Sequence, residues 1–484
     1  MPEYKSFARS VGVIGITNLF ISLSGILLLP ILTKSLPIEE YGTWVQITVT
    51  LGLVPTVAML GLPFTLVRFL AAAKTRQEIQ EGYYTIAMVM VVTAGLTSLI
   101  FFILAELIAT VLFGNQVAVT QILAPIIFLE CINALQLNYF RTFRQIKRYS
   151  YLTVFKTCLQ LFLIGALVLA GHGIFGATIG LLLTDLVLFL IMGVLIVPKI
   201  GIAIPKFIHL REYLSFCLPT VPGTLSNWVV NSSDRYVIAV FLSIAYVGYY
   251  SPGYALGNII VMFIAPLSIM LPVVLSKHYD EGNLKDVQTV LSYSMKYFLA
   301  LAIPSTVGLS LLSKPLLTIL STPEIATQGY LITPFIALCG LLFGLESIIT
   351  QILALEKKTS ITGTIWTVAA VLNLGLNITF VPIIGILGAA ATTLFAYSLA
   401  FILSMYYSFK YLVFPVDVVF ILKCLAAAAI MGVVVVIGGS QISGGLVGTI
   451  LLVGISALIY GAGLFILRGF KTEEIQFFRG LFRV

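Results

Sequence analysis

The residues best suited to chemistry lie inside long apolar stretches of the chain. Thr224, Asn227, Asn231, Asp234 and Arg235 recur at steps of three to four, which would place them on one face of a helix. Lipid tails offer no hydrogen-bond partners, so such a stripe must face protein or water. A guanidinium there could bind a phosphate or diphosphate through two parallel hydrogen bonds. Alternatively, the aspartate and arginine only neutralise neighbours and lock helices together.

Further charged residues lie inside the expected helices, among them Arg68, Glu130, Lys156, Asp185 and Glu346. Arg68 and Lys156 join Arg235 as candidates for anion contacts, although Arg68 could instead extend to the inner lipid headgroups. Glu130 and Asp185 could carry a coupling proton or sodium ion, or they could pair with Lys156, and the sequence favours pairing. Because a charge at mid-bilayer costs on the order of 3 kcal/mol or more, each is a candidate functional residue.

No motif for a metal, a cofactor or catalysis is recognisable. The five cysteines (Cys131, Cys158, Cys217, Cys339 and Cys424) fit neither a zinc site nor a disulfide framework, and buried, unpaired thiols are expected. The loops between the apolar stretches are short, and those expected on the outside carry almost no acidic or basic residues. We therefore predict no catalytic residues, no metal and no cofactor; a membrane-embedded glycan polymerase is the enzymatic alternative.

The elements that position these residues are transmembrane helices. The chain is 60% hydrophobic and 10% charged, whereas soluble domains carry roughly 25% charged residues. A span needs roughly 20 apolar residues, so the composition predicts an all-α polytopic membrane protein of about 14 transmembrane helices. They are expected at 10–34, 43–72, 82–105, 116–140, 150–170, 173–197, 213–242, 246–276, 290–312, 326–353, 360–380, 384–409, 418–437 and 445–467.

Basic residues are distributed unevenly between the two sides of these helices. The loops opposite the N-terminus hold Lys34 and Lys314, and almost every other loop lysine or arginine lies on the N-terminal side. This bias predicts that both termini lie in the cytoplasm, and the plasma membrane is the expected location. The net charge of +8 then faces anionic lipids rather than nucleic acid. Residues 468–484 are expected to form a cytoplasmic interfacial amphipathic helix.

An internal repeat organises the chain. Gly173-Ile174-Phe175-Gly176-Ala177 is echoed by Gly385-Ile386-Leu387-Gly388-Ala389, and Lys147-Arg148-Tyr149-Ser150 by Lys357-Lys358-Thr359-Ser360. The spacing corresponds to six helices, and an even number keeps the two repeats parallel. The sequence thus predicts an N-lobe at 1–200 (helices 1–6) and a C-lobe at 201–412 (helices 7–12) around a central cavity. Two extra helices follow at 413–467. This is the architecture of a transporter.

A family pattern is visible in the same helices. Its residues are Asp234-Arg235-Tyr236-Val237-Ile238, Leu242 and Val247-Gly248-Tyr249-Tyr250, with Asn18, Gly25, Pro30, Leu36, Glu40-Tyr41-Gly42, Asn373, Asn377, Pro382, Gly385 and Gly388-Ala389-Ala390 in the same order along the chain. The pattern resembles the polysaccharide-biosynthesis (O-antigen type) flippases of the multidrug/oligosaccharidyl-lipid/polysaccharide (MOP) exporter superfamily. Of these positions, Asp234 and Arg235 correspond to the most specific motif.

The resemblance implies a pair of six-helix lobes with a water-filled, often cationic cavity. It also implies transport of polyprenyl-(di)phosphate-linked oligosaccharide from the cytoplasmic to the outer leaflet by alternating access, for the assembly of cell-surface polysaccharide. Partners would be this lipid-linked cargo, membrane lipids and, as further candidates, polysaccharide-assembly proteins. The peptidoglycan-precursor flippases carry arginines in the first helix, and their absence between Ser10 and Thr33 argues against that branch. A cation-coupled multidrug antiporter of the same superfamily is the alternative.

Overall fold

The computed structural model describes residues 2–73, 75–441 and 445–470, and this part of the chain is helical without a β-strand. The predicted all-α polytopic membrane fold is confirmed. The α-helices are α1 Pro2–Ser35, α2 Ile38–Ala58, α3 Leu62–Thr65, α4 Arg76–Ile103, α5 Ala105–Leu112, α6 Val117–Thr142, α7 Ile146–Leu167, α8 Gly173–Ile200, α9 Leu210–Cys217, α10 Val221–Phe241, α11 Ile244–Gly257, α12 Ala265–Asp280, α13 Leu284–Leu311, α14 Ser313–Leu320, α15 Pro323–Gly329, α16 Ile332–Ile349, α17 Gln351–Leu355, α18 Thr359–Ile384, α19 Ile386–Ser408, α20 Val418–Gln441 and α21 Leu446–Ile466.

The number of spans differs from the prediction. Within the described residues, 11 helices are long and apolar enough to cross a membrane, or up to 12 if a pair bent by 60° is one span. One of the 11 runs for 55 residues, Ile146–Ile200; at about 1.5 Å per residue it is long enough for two crossings of a core about 30 Å thick. Helix α10 is not in the set, because its polar stripe makes it less apolar. The count of about fourteen stays a prediction.

Several helices that the sequence predicts as continuous are broken. The helix expected at 43–72 ends at Ala58 and resumes at Leu62, because Leu60 and Gly61 adopt positive φ angles of 51° and 75°. It then continues as a π-helical turn at Leu66–Leu70. A wider turn of this kind is often found at functional positions in helices.

Proline accounts for two further breaks. The helix expected at 213–242 is divided into α9, a 3-10 turn at Leu218–Thr220 and α10, and Pro219 and Pro222 lie in this region. The helix expected at 246–276 is divided into α11, a 3-10 turn at Asn258–Phe263 and α12. A proline removes a helix hydrogen bond and clashes with the preceding turn, so the sequence contained the reason for both breaks.

The helices form two compact units. Unit 1 contains Met1–Tyr249 and Trp366–Ala389, and unit 2 contains Tyr250–Ile365 and Ala390–Val484. Helices of equal length recur in the same order: α4 and α13 have 28 residues each, and α5 and α14 have 8 each. The predicted lobes, 1–200 and 201–412, and the extra pair at 413–467 stay predictions. Most of the predicted interfacial helix at 468–484 lies outside the described residues.

Each unit has its own hydrophobic core. In unit 1, α4, α6 and α8 pack together with the π-helical turn, and Ile86, Met90, Leu135 and Leu188 are fully buried. In unit 2, α13 packs against α16 and α20. The cysteines are free, as expected, but Cys158 is exposed while the other four are buried. The expectation of a buried thiol is wrong there, because this residue lies on an outward face of α7.

Candidate functional site

Helix α10 carries the polar stripe and is held in unit 1 by directed contacts. Trp228 donates from Nε1 to the carbonyl oxygen of Val49 in α2 at 3.2 Å, and the hydroxyls of Thr50 and Tyr236 lie 2.7 Å apart. Further along the chain, α18 approaches the same helix at Ser226, whose hydroxyl lies 3.2 Å from that of Thr367. These contacts fix the rotation of α10 and therefore the direction in which its stripe points.

Asp234 and Arg235 form a buried ion pair. Nη1 of Arg235 lies 2.9 Å from Oδ1 of Asp234, and the two side chains are 8% and 0% exposed respectively. The same guanidinium nitrogen donates to the carbonyl oxygen of Asn231 at 2.5 Å, and the backbone N–H of Arg235 donates to the Asp234 carboxylate. The structure thus brings these predicted site residues together, with the arginine already bound to a carboxylate.

The two asparagines continue the stripe toward a more open part of α10. Asn231 is half-buried, Asn227 is exposed, and Nδ2 of Asn231 donates to both the carbonyl oxygen and Oδ1 of Asn227 at 2.8 and 2.9 Å. The stripe therefore runs from an accessible amide to a buried ion pair about two helical turns away. Amides donate and accept hydrogen bonds, which suits them to sugar hydroxyls.

A second cluster of charges lies in the interior of unit 1, where three helices meet. Nζ of Lys156 in α7 lies 2.6 Å from Oε2 of Glu130 in α6 and 3.0 Å from Oδ1 of Asp185 in α8. Asn133 supports the aspartate through Nδ2, which donates to its carbonyl oxygen at 3.0 Å and to Oδ1 at 3.3 Å. The pairing that the sequence favoured is present. Lys156, Glu130 and Asp185 are called the triad below.

Arg68 is placed differently from the other two candidate cations. It lies on the π-helical turn that follows α3, and its side chain is exposed. Among the described residues it makes no hydrogen bond or ion pair. An exposed guanidinium retains all five donors, so Arg68 is more available to an anion than Lys156 or Arg235.

The described residues contain no group of three or more His, Cys, Asp or Glu side chains that could hold a metal ion. Sequence reasoning missed one buried cation, Lys296 of α13, which lies in the core of unit 2. Its Nζ is 4.7 Å from the ring centroid of Phe420 and 5.7 Å from that of Phe470. A lysine inside the helix expected at 290–312 was the available signal.

Comparison with known proteins places this geometry in context. The model of a family described as polysaccharide biosynthesis protein matches residues 31–324, which is more than half of the chain. Two curated relatives come from Haloferax volcanii. The probable low-salt glycan biosynthesis flippase Agl15 is 22% identical over 205 residues, 42% of this chain and 43% of that protein. The probable flippase AglR is 24% identical over 208 residues, 40% of this chain and 44% of that protein. The aligned part thus spans less than half the length of either relative.

Solved structures show the same fold. An inward closed conformation of the lipid II flippase MurJ is similar with a TM-score of 0.75 and 19% identity, over 94% of this chain and 98% of that chain. An inward-facing multidrug resistance MATE family transporter of the MOP superfamily is similar with a TM-score of 0.65 and 15% identity, over 82% and 97%. At these identities the likeness concerns the fold alone.

Proposed function

Because the chain belongs to the polysaccharide biosynthesis protein family, we propose that it is a flippase for polyprenyl-(di)phosphate-linked oligosaccharide. It moves this cargo from the cytoplasmic to the outer leaflet by alternating access, for the assembly of a cell-surface polysaccharide or glycan. The family match over residues 31–324 carries the proposal. The names of the two Haloferax relatives, both flippases, support it.

The proposed cargo contacts lie at two places: Asn227, Asn231, Asp234 and Arg235 on α10, and Arg68 on the π-helical turn, whose neighbour Phe69 packs against Tyr213 and Phe216 of α9. Exposed Arg68 offers its free guanidinium to the (di)phosphate, where paired hydrogen bonds give a strong contact. The two amides bind sugar hydroxyls. The guanidinium of Arg235 binds either the Asp234 carboxylate or the anionic cargo. Binding of the cargo therefore breaks the ion pair with Asp234, and re-formation of the ion pair releases the cargo.

The triad supports a different role. Two carboxylates surround one ammonium, so the fully ionised cluster carries one excess negative charge. A buried net charge is costly, and one bound proton neutralises it. We therefore assign Glu130 and Asp185 to ion coupling, with Lys156 as their fixed counter-charge rather than a cargo contact.

The same carboxylates favour one alternative function, a cation-coupled multidrug antiporter. That reading predicts efflux of dyes that depends on Glu130 or Asp185 and no movement of lipid-linked oligosaccharide. The proposed function is transport without covalent chemistry. We place the protein in the plasma membrane with both termini in the cytoplasm, in contact with polysaccharide-assembly proteins.

The test is translocation of a fluorescent polyprenyl-diphosphate oligosaccharide in proteoliposomes, scored by access of an external quencher. Arg235→Gln leaves a buried aspartate without its counter-charge, so the informative comparison is with the double variant Asp234→Asn/Arg235→Gln. If Arg235 binds cargo, we expect the double variant to fold but to flip at least about tenfold more slowly, which corresponds to about 1.4 kcal/mol.

Arg144→Gln, at an arginine in the loop between α6 and α7, serves as the matched control and should flip at the wild-type rate. Full flipping by the folded double variant would show that the Asp234–Arg235 pair only locks helices together. Absence of flipping by the wild type with several such lipids, together with dye efflux, would reject the flippase proposal in favour of the antiporter.

A further inference from the structure

The segment between α8 and α9, residues 201–209, is a non-helical connection that we call the strap. It follows directly on Ile200, the last residue of a membrane-spanning run. Side chains of α4 hold the backbone where α8 ends and the strap begins. Arg76 and Gln80 donate to the carbonyl oxygen of Ile200 at 3.1 and 2.6 Å, and the hydroxyl of Tyr84 donates to that of Gly201 at 2.7 Å.

A glutamate of α4 holds the other end of the strap. Both carboxylate oxygens of Glu81 accept the backbone N–H of Lys206 at 2.9 Å, and one also accepts that of Ile208 at 3.4 Å. Between them, Phe207 adopts a φ of 56°, a region that bulky residues rarely occupy. The two hydrogen-bonded neighbours hold it there. The strap therefore has a defined conformation, and its backbone is bound on the side facing α4.

The apolar side chains of the strap point away from the protein. Ile202, Ile204 and Ile208 are 84%, 89% and 66% exposed, and Phe207 is 40% exposed. In extended chain, residues two apart share a face, so Ile202 and Ile204 project together. Isoleucine is among the residues most often fully buried. Exposed side chains of this type, clustered on a segment with a bound backbone, indicate a surface that is covered by something else.

The charges around the strap identify what covers it. Lys199, Lys206 and Arg211 are all exposed, and they flank the isoleucines on both sides. Of the nearby acids, Glu81 is occupied by the strap's own backbone and Glu212 lies 3.3 Å from His209. Apolar side chains between basic residues are the composition of segments that lie in the interface of an anionic membrane.

We propose that the strap is a membrane-interface anchor. Ile202, Ile204 and Ile208 enter the boundary between headgroups and acyl chains, and Lys199, Lys206 and Arg211 bind the phosphates of anionic lipids. The position of the strap at the end of a span puts it at the depth where this boundary lies. The proposal is independent of the cargo, and its test uses no transport assay.

The experiment places a fluorescent probe on the strap of the full-length protein. Cys158→Ser removes the thiol that is exposed among the described cysteines, and Ile204→Cys is labelled with an environment-sensitive dye. The protein is reconstituted in vesicles that contain phosphatidylglycerol. We expect quenching by lipids with a nitroxide near the headgroup, and iodide quenching reduced at least about threefold relative to the same dye at Glu281→Cys, which lies in the exposed turn after α12.

Iodide access equal to that of the Glu281→Cys control, without quenching by the nitroxide lipids, would overturn the proposal and leave the strap in water. The lipid charge is tested separately by repeating the measurement in pure phosphatidylcholine and with Lys199→Gln/Lys206→Gln. We expect iodide access to rise in both cases. Equal protection in all three samples would show that the basic residues do not bind anionic lipid.

Discussion

Removing the lysine of the triad should destabilise the protein strongly. In Lys156→Met the stem of the side chain is kept, but Glu130 and Asp185 lose the ammonium that lies 2.6 and 3.0 Å from their oxygens. Removing one partner of a buried ion pair costs about 3 to 5 kcal/mol, because a charge is left without compensation. The Asp185 side chain is 4% exposed, whereas that of Glu130 is 33% exposed and therefore less enclosed by protein.

The lower end of that range therefore applies. We expect Lys156→Met to lower the free energy of unfolding by about 3 kcal/mol, which is more than about 100-fold in the equilibrium constant. The measurement is reversible unfolding in mixed micelles by titration with dodecyl sulfate. Lys147→Met is the matched control because Lys147 is exposed near the start of α7, and exposed substitutions usually change stability by no more than about 0.5 kcal/mol.

The double variant Lys156→Met/Asp185→Asn tests the electrostatic cause. It removes the more buried carboxylate together with the ammonium, so we expect more than half of the lost stability to return. The reasoning would be refuted if Lys156→Met behaved like Lys147→Met. It would also be refuted if the double variant were as unstable as the single one, since the loss would then come from packing rather than charge.

Two further substitutions have clear expected outcomes in the same unfolding assay. In Gly344→Ala the new methyl group would overlap the ring of Phe298 in the core of unit 2, and such overpacking should lower the free energy of unfolding by about 1 to 3 kcal/mol. The control is Gly454→Ala, where a Cβ meets nothing within 4 Å and no stability should be lost. Equal stability of the two variants would contradict the close packing at Gly344. In Thr75→Ala, α4 loses the cap in which Oγ1 accepts the backbone N–H of Glu78 at 3.2 Å, and the free energy of unfolding should fall by about 1 kcal/mol. Thr75→Ser should retain the cap and the stability. If the serine variant lost as much stability as the alanine variant, the hydrogen bond would not be the cause.

Much of the fold could be predicted from the sequence because membrane helices are defined by local composition. Apolar runs of about 20 residues are a direct consequence of the thickness of the bilayer. The breaks in these helices were harder to predict from the sequence. Proline marks the division of the helix expected at 213–242, but at Leu60 a positive φ occurs in a residue type that gives no warning of it.

For the candidate site, the sequence predicted which residues belong to it better than it predicted which of them contact each other. The spacing of Asn231, Asp234 and Arg235 follows from helical periodicity, so one face could be assigned. Arg235 binds the adjacent Asp234 at 2.9 Å. This contact depends on the conformations of the two side chains, which cannot be derived from the spacing of residues in the sequence. The triad was anticipated only because intramembrane charges seek partners, and the hold of α4 on the strap depends on tertiary packing.

Unit 1 is built from two separate stretches of the chain, and this affects the order in which the protein can assemble during synthesis. This unit includes Trp366–Ala389, which the ribosome produces after all of Tyr250–Ile365 of the other unit. Helix α10, with its aspartate and arginine, is a poor substrate for insertion alone, and its contact from Ser226 to Thr367 is available only after this delay. Since domains generally fold as units during synthesis, the interleaved order makes the biogenesis of the two units interdependent. Until α18 has emerged, α10 lacks its contact with Thr367, whereas α4, α6 and α8 can already pack together.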